Sequence, residues 1–275
     1  AVVVGAGFVL PIALGLWQTL LPAFGHLPAI GAGGFDVQPW HRLFALPGFA
    51  TSLGLTLGSG LAATALSLIA AVGLHAGLAQ PPFHRVVSRL MTPLLAVPHA
   101  ALGIGLAFMI APSGWLLRLL SPWATGLGLP PDIVTVHDPQ GLALVAGLAI
   151  KETPFLFLVI TAALNQIDPA GQLKTARALG YERAQAWIAV VFPGIYRQIR
   201  LALYAVLAYS LSTVDLAIVF GPGHPPTLAV QTLRWFSDPD VGLLLPASAS
   251  ALLLALVVAA AIGLWRLGEI LSAFA

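Results

Sequence analysis

The sequence has no cysteine and very few charged residues, and each of these absences excludes some classes of protein. Without thiols, the chain forms no disulfide, no thiolate metal site and no cysteine nucleophile. Charged residues make up 8% of the 275 positions and hydrophobic residues 59%, whereas an ordinary soluble domain carries about 25% charged residues. The composition therefore excludes a soluble globular protein, and it leaves no basic surface for a nucleic-acid partner.

Motifs of hydrolytic chemistry are missing as well. The sequence contains neither His-Glu-x-x-His nor Gly-x-Ser-x-Gly, and its 7 histidines are scattered. We therefore predict no catalytic residue, no metal site and no cofactor within this chain.

Long apolar runs dominate the sequence instead. A helix needs about 20 apolar residues to cross a bilayer, and six stretches qualify: 2–24, 49–78, 90–110, 141–164, 201–220 and 241–265. The third contains Pro93 and Pro98 and is expected to be kinked. We predict an all-α membrane protein with six transmembrane helices in a single domain, 1–275.

The segments around these spans have their own signals. The first span lacks a basic start and a cleavage site, so we expect a retained helix rather than a signal peptide. Because the sequence starts at Ala1 without Met, we expect either that upstream residues are missing or that the chain has been trimmed. We expect an irregular external loop over 25–48, a short internal loop over 80–89, an outer connection over 111–139 and a short interfacial helix over 227–236.

The distribution of basic residues predicts the orientation. Three arginines fall on one side of the six spans, at positions 42, 118 and 234. Eight basic residues fall on the other side: Arg85, Arg89, Lys174, Arg177, Arg183, Arg197, Arg200 and Arg266. Because cytoplasmic loops carry the excess of Lys and Arg, we predict that the second side and both termini are cytoplasmic.

The polar interval 165–200 lies on the basic side. Asp168 is a good N-cap and Pro169 suits the first helical position, so a short helix is expected there. Leu173, Ala176 and Gly180 lie three and four residues apart on one face, and glycine can adopt the left-handed turn that ends such a helix.

A second amphipathic helix is expected after Gly180. Ala184, Trp187, Ile188 and Val191 share one face, while Glu182, Arg183 and Gln185 lie on the polar face. Pro193 is expected to end this helix, because proline interrupts the backbone hydrogen bonds. The interval is therefore two short helices joined at a glycine, too short to span a membrane.

The same interval carries a spacing known from one family. Lys174-Thr175-Ala176 is followed by three residues, Gly180, nine residues, and then Val190-Val191-Phe192-Pro193. This resembles the Glu-Ala-Ala-x3-Gly-x9-Ile-x-Leu-Pro motif in the permease subunits of ABC importers. Lys174 replaces the glutamate of the motif, and Thr175 replaces its first alanine.

The resemblance covers about 50–265 and implies a type I ABC importer permease in the bacterial inner membrane. It implies that 165–200 is a cytoplasmic coupling loop, and that separate ATPase subunits bind ATP and Mg²⁺. It also implies a second permease subunit or half and an extracytoplasmic solute-binding protein. The stretch 209–240 resembles permeases for thiamine, ferric iron and polyamines. An ion-coupled secondary transporter without an ATPase is the alternative.

Ionisable residues inside the predicted spans form a second group of candidates. Lys151 and Glu152 lie about 15 Å into the fourth span, and Asp215 lies in the fifth, where it is a plausible partner for Lys151. His99 is a weaker candidate. Such residues usually face a cavity or each other, so they either line the translocation path or its gate, or form a buried ion pair that only fixes helix register. If Lys151 pairs with one carboxylate, one negative charge remains, and we expect a cationic solute.

Overall fold

The computed structural model describes residues 2–77 and 81–272, and it is nearly all-helical. One isolated β-bridge joins Leu27 and Ala32. Within the described residues the α-helices are α1 (Val2–Ala23), α2 (Gln38–Phe44), α3 (Phe49–Gly77), α4 (Pro81–Ala96), α5 (His99–Ile110), α6 (Trp115–Leu120), α7 (Leu142–Leu164), α8 (Pro169–Ala178), α9 (Arg183–Ala186), α10 (Phe192–Ser212), α11 (Asp215–Phe220), α12 (Leu228–Phe236) and α13 (Leu244–Ser272).

The described chain divides into two compact units. The first contains Ala1–Leu57, Leu211–Val214 and Pro222–Ala275. In this unit α13 packs against α1, α2 and α12 around a core of Ala23, Leu43, Leu228 and Ala249. The prediction of one membrane domain over 1–275 stays a prediction.

The second unit contains Gly58–Ser210 and Asp215–Gly221. Here α4 and α11 both pack against α7, and α11 also packs against α5. The buried His75 near the end of α3 places Nε2 3.1 Å from the Phe157 carbonyl oxygen, and its ring stacks on the Phe157 ring at 4.2 Å. This contact attaches the end of α3 to the middle of α7.

Five helical segments in the described residues are long and apolar enough to cross a membrane. They are Phe49–Gly77, His99–Leu120, Leu142–Leu164, Arg183–Ser212 and Val241–Ser272. The second, fourth and sixth predicted spans are therefore present, although the sixth extends further than 265. The first predicted span falls on α1, whose 22 residues are not among these five, so the count of six remains a prediction.

Two predicted spans have different boundaries from those in the structure. The third is broken at Val97 and Pro98, which separate α4 from α5, so the kink is confirmed and the span instead runs through His99–Leu120. Proline has no N–H to donate and disfavours a helical residue before it. The fifth begins earlier than 201 and is broken after Ser212, so that α11 is a separate short helix.

Three predicted loops contain helices. The external loop 25–48 includes a 3-10 turn at Pro28–Ile30 and α2. The outer connection 111–139 includes α6, and the internal loop 80–89 is helical from Pro81 onward, with Gln80 outside the described residues. The short helix predicted over 227–236 is confirmed as α12, and its interfacial position stays a prediction.

The interval 165–200, the predicted coupling loop, begins as the sequence predicts. The Asp168 side chain accepts a hydrogen bond from the Gly171 amide at 3.0 Å, and Pro169 is the first residue of α8. Gly180 follows α8 with φ of +91°, the left-handed conformation that favours glycine. The first of the two predicted loop helices is therefore confirmed with its start and its terminating turn.

The second loop helix differs from the prediction. It continues from α9 through a π-helical turn, Trp187–Val191, directly into α10. Pro193 does not end the helix, because the π turn is wider than an α turn and Pro193 falls in the first turn of α10. Trp187 and Val191 are buried as expected, whereas Ala184 and Ile188 are exposed.

Candidate functional site

The break between α4 and α5 is held by Lys151. Its Nζ donates to the carbonyl oxygens of Leu94 at 3.1 Å, Leu95 at 3.1 Å and Val97 at 2.6 Å. In an uninterrupted helix the Leu94 carbonyl would accept from residue 98, but Pro98 has no N–H. The ammonium therefore donates to the Leu94 oxygen in place of the missing proline N–H, at the helix end where a cation is favoured.

These contacts correct the expected pairing of Lys151 with Asp215. The three carbonyl oxygens surround the ammonium of a residue that is only 3% exposed, so its hydrogen bonds go to main-chain atoms and not to Asp215. The sequence could not show this, because the acceptors are main-chain atoms about fifty residues away.

Glu152 contacts the other side of the same break, at the start of α5. Its Oε1 lies 3.2 Å from His99 Nε2, and His99 is the first residue of α5. Because adjacent residues on a helix point about 100° apart, Lys151 reaches the end of α4 while Glu152 reaches the start of α5. The two neighbouring charged residues of α7 therefore contact the two sides of the break between α4 and α5. This places His99 beside the carboxylate of Glu152.

His99 connects this pair to α10 and α11. Its ring lies 4.6 Å from the ring of Tyr209, and the Tyr209 hydroxyl donates to Asp215 Oδ1 at 3.1 Å. Asp215 is the first residue of α11. Glu152, His99, Tyr209 and Asp215 thus form one polar group, which we call the polar cluster, contributed by four helices.

Tyr209 is the member that the sequence reasoning missed. A phenolic hydroxyl within an apolar helix usually finds a polar partner, and the acid six residues later was the available one. Solvent access differs across the polar cluster: Glu152 is buried, the His99 side chain is 33% exposed, and Asp215 is exposed. The arrangement presents one accessible carboxylate, Asp215, next to the contact between the buried Glu152 and the half-buried His99.

The packed position of α11 depends on two glycines and a histidine. A Cβ at Gly103 would lie 2.8 Å from Leu216, and one at Gly147 would lie 2.8 Å from the Phe220 ring. The His137 amide donates to the Phe220 carbonyl at 3.0 Å, and His137 Nδ1 lies 2.7 Å from the Gly221 oxygen. Close packing at both ends therefore fixes the helix that carries Asp215.

The predicted coupling loop has a concave surface of its own. A cleft of about 380 Å³ is lined by apolar Leu164, Leu173 and Trp187 and by the cations Lys174, Arg177 and Arg183. Ala176 is buried, whereas Thr175 and Gly180 are exposed. Of the predicted coupling residues, Pro169, Leu173, Lys174 and Trp187 meet in this cleft.

Exposed apolar side chains accompany the cleft. Leu179 is 74% exposed on the turn after α8, and Tyr181 and Ile188 are also exposed. Large apolar side chains open to solvent on a polar loop are typical of a surface that binds a partner.

The chain is similar to known proteins in sequence and in fold. No family model matches the chain. The chain is 35% identical over 248 residues, 89% of its length, to the inner membrane ABC transporter permease protein YnjC of Escherichia coli (strain K12). It matches 45% of that protein, so the chain spans about half the length of the curated relative.

The fold has a solved counterpart. The chain superposes with a TM-score of 0.73 and 16% identity on a chain from the crystal structure of a bacterial ABC transporter involved in the import of the acidic polysaccharide alginate. The match covers 95% of this chain and 89% of that one. The chain therefore has the fold of that transporter chain.

Proposed function

We propose that the chain is the transmembrane permease part of an ATP-driven ABC importer in the bacterial inner membrane. The observation that carries the proposal is the 35% identity with an inner membrane ABC transporter permease over 89% of the chain. The fold and the apolar helices agree with it. The expected orientation places 165–200 and both termini in the cytoplasm.

The coupling loop is the proposed contact with the ATPase. Asp168 caps α8, Gly180 makes the turn, and α9 continues into α10 without a flexible linker. Force applied to the loop would therefore pass directly into a predicted span. In this proposal separate subunits bind ATP and Mg²⁺, and their closure switches the membrane helices between inward-open and outward-open states.

The remaining proposed partners are a second permease part and an extracytoplasmic binding protein. The second part is either a separate subunit or another half of one longer polypeptide. Both arrangements supply a second coupling loop, which two ATPase subunits require.

Copurification tests the ATPase contact. The intact protein, affinity-tagged in native membranes, should bring down an ATPase. Leu179→Glu should abolish the recovery, because it places a charge on a side chain that is 74% exposed on the coupling loop. Leu129→Glu is the matched control, since Leu129 is 81% exposed on the predicted outer connection. Absence of any ATPase, together with uptake driven by an ion gradient, would instead establish a secondary transporter.

We further propose that the polar cluster lines the translocation path and favours a cationic solute such as thiamine. Asp215 supplies the accessible negative charge, while the Lys151 ammonium is enclosed by carbonyl oxygens. A cation passing this point would meet a carboxylate and no exposed ammonium from this cluster.

Uptake of labelled thiamine into membrane vesicles tests this proposal. Asp215→Asn and Glu152→Gln should each lower uptake, because each removes negative charge with little change of volume. Asp132→Asn is the control, since Asp132 is exposed on the outer connection. Unchanged uptake in both variants would show that the polar cluster does not line the translocation path.

A further inference from the structure

The cations of the coupling cleft have no acidic counterpart in the lining of the cleft. Lys174 and Arg177 lie three residues apart on α8, so they share one face, and Arg183 approaches from α9. Within the described part of the chain, none of the three makes a hydrogen bond or a salt bridge. Three like charges around one concave surface repel one another until an anionic group enters.

The nearest acids in the sequence are already engaged. Asp168 caps the start of α8 through the Gly171 amide. Glu182 forms a reciprocal capping box with Gln185 at the start of α9. Both carboxylates therefore stabilise helix ends, and neither lines the cleft.

The exposed residues of α8 favour a protein partner over a lipid headgroup. An interfacial helix binds a bilayer through large apolar side chains on one face. The exposed positions of α8 between 174 and 178 are Lys174, Thr175, Arg177 and Ala178, and none is a large apolar residue. The apolar Leu173 and Trp187 instead line the cleft.

We infer that this cleft docks an acidic segment of the partner ATPase. An apolar side chain of that segment would contact Leu173 and Trp187, while flanking carboxylates would pair with the three cations. Lys174 stands where the resembled motif has glutamate, so this chain presents a cation at that position. The inference rests on the proposed function, and it adds that the ATPase surface bound by the cleft is acidic.

Lysine usage permits a direct test. The chain has lysine at only two positions, 151 and 174, and Lys151 is buried at 3% exposure. A zero-length carbodiimide joins an amine to a carboxylate in contact with it. Treating the purified complex of the intact protein and its copurified ATPase should therefore cross-link Lys174 to an aspartate or glutamate of the ATPase, located by mass spectrometry. Lys174→Arg should keep the complex and lose the cross-link.

Affinity provides a second measurement. An exposed ion pair is worth roughly 1.4-fold to 5-fold in affinity, so replacing all three cations by glutamine should weaken ATPase binding about ten-fold. The loss should shrink at high salt, because salt screens the attraction in the unmodified complex. Arg197→Gln is the matched control, since Arg197 is exposed on α10 and does not line the cleft.

The outcomes separate this inference from the proposed function. If the ATPase copurifies but no cross-link forms at Lys174 and the triple variant binds it normally, the inference is wrong and the permease proposal stands. If the triple variant loses the ATPase only in nanodiscs containing phosphatidylglycerol, the cations bind lipid and the inference is also wrong. If no ATPase copurifies at all, both fail together.

Discussion

Replacing Lys151 by methionine tests whether its hydrogen bonds stabilise the break between α4 and α5. Methionine keeps most of the length of the side chain but donates no hydrogen bond. The carbonyl oxygens of Leu95 and Val97 can find new partners if the local backbone shifts, but the Leu94 oxygen faces Pro98, which has no N–H. A buried unpaired acceptor costs about 1–3 kcal/mol.

We therefore expect Lys151→Met to lower the free energy of unfolding by about 2 kcal/mol. For a chain of this size, that loss lowers Tm by roughly 4–8 °C. Intrinsic tryptophan fluorescence during heating in detergent micelles measures it. Thr153→Val is the matched control, because the Thr153 hydroxyl bonds only the Ala149 carbonyl of its own helix and should lower Tm far less.

A double-mutant cycle identifies the cause. Pro98→Ala restores an N–H at residue 98, so the Leu94 oxygen gains a donor without the ammonium. In that background Lys151→Met should cost about 1 kcal/mol less than in the unmodified protein. An equal cost in both backgrounds would refute the claim that Lys151 replaces the hydrogen bond lost to the proline, and an unchanged Tm in the single variant would refute its structural role.

Three further changes test the loop and the polar cluster. Gly180→Pro or Gly180→Val should uncouple ATP hydrolysis from transport in vesicles while the protein stays in the membrane, because φ is +91° there; Gly180→Asn, which tolerates that conformation, should stay coupled. Asp168→Ala should cost about 1 kcal/mol of loop stability, seen as faster amide exchange over α8, with Asp132→Ala unchanged. Tyr209→Phe should alter thiamine uptake in the same direction as Asp215→Asn but less, since only one hydrogen bond to the carboxylate is lost; identical uptake would exclude that contact from the path.

Local signals predicted the elements that local physics determines. The start of α8 at Asp168 and Pro169, its terminating turn at Gly180, and the helix α12 all follow from residue types over a few positions. The apolar runs predicted α3 and α7 almost to the residue, because a long run of that composition has few alternatives to a helix.

The remaining features depend on contacts that a single sequence does not display. The partners of Lys151 are main-chain oxygens exposed by a proline in another helix, so pairing side chains by charge gave the wrong answer. The π turn Trp187–Val191 accommodates Pro193 within a continuous helix, which a rule about proline alone could not predict. Tyr209 joins the polar cluster through the break after Ser212, and that break has no proline or glycine to mark it.

The unbroken helical path from Arg183 to Tyr209 links the cleft of the predicted coupling loop to the polar cluster. Twenty-six steps of 1.5 Å make a rod about 40 Å long. Tilting this rod by about 5° around its loop end would displace the far end by about 3 Å, which equals the full length of a hydrogen bond. The Tyr209 hydroxyl lies 3.1 Å from Asp215, so a rotation too small to disturb the cleft would suffice to detach the tyrosine from the acid.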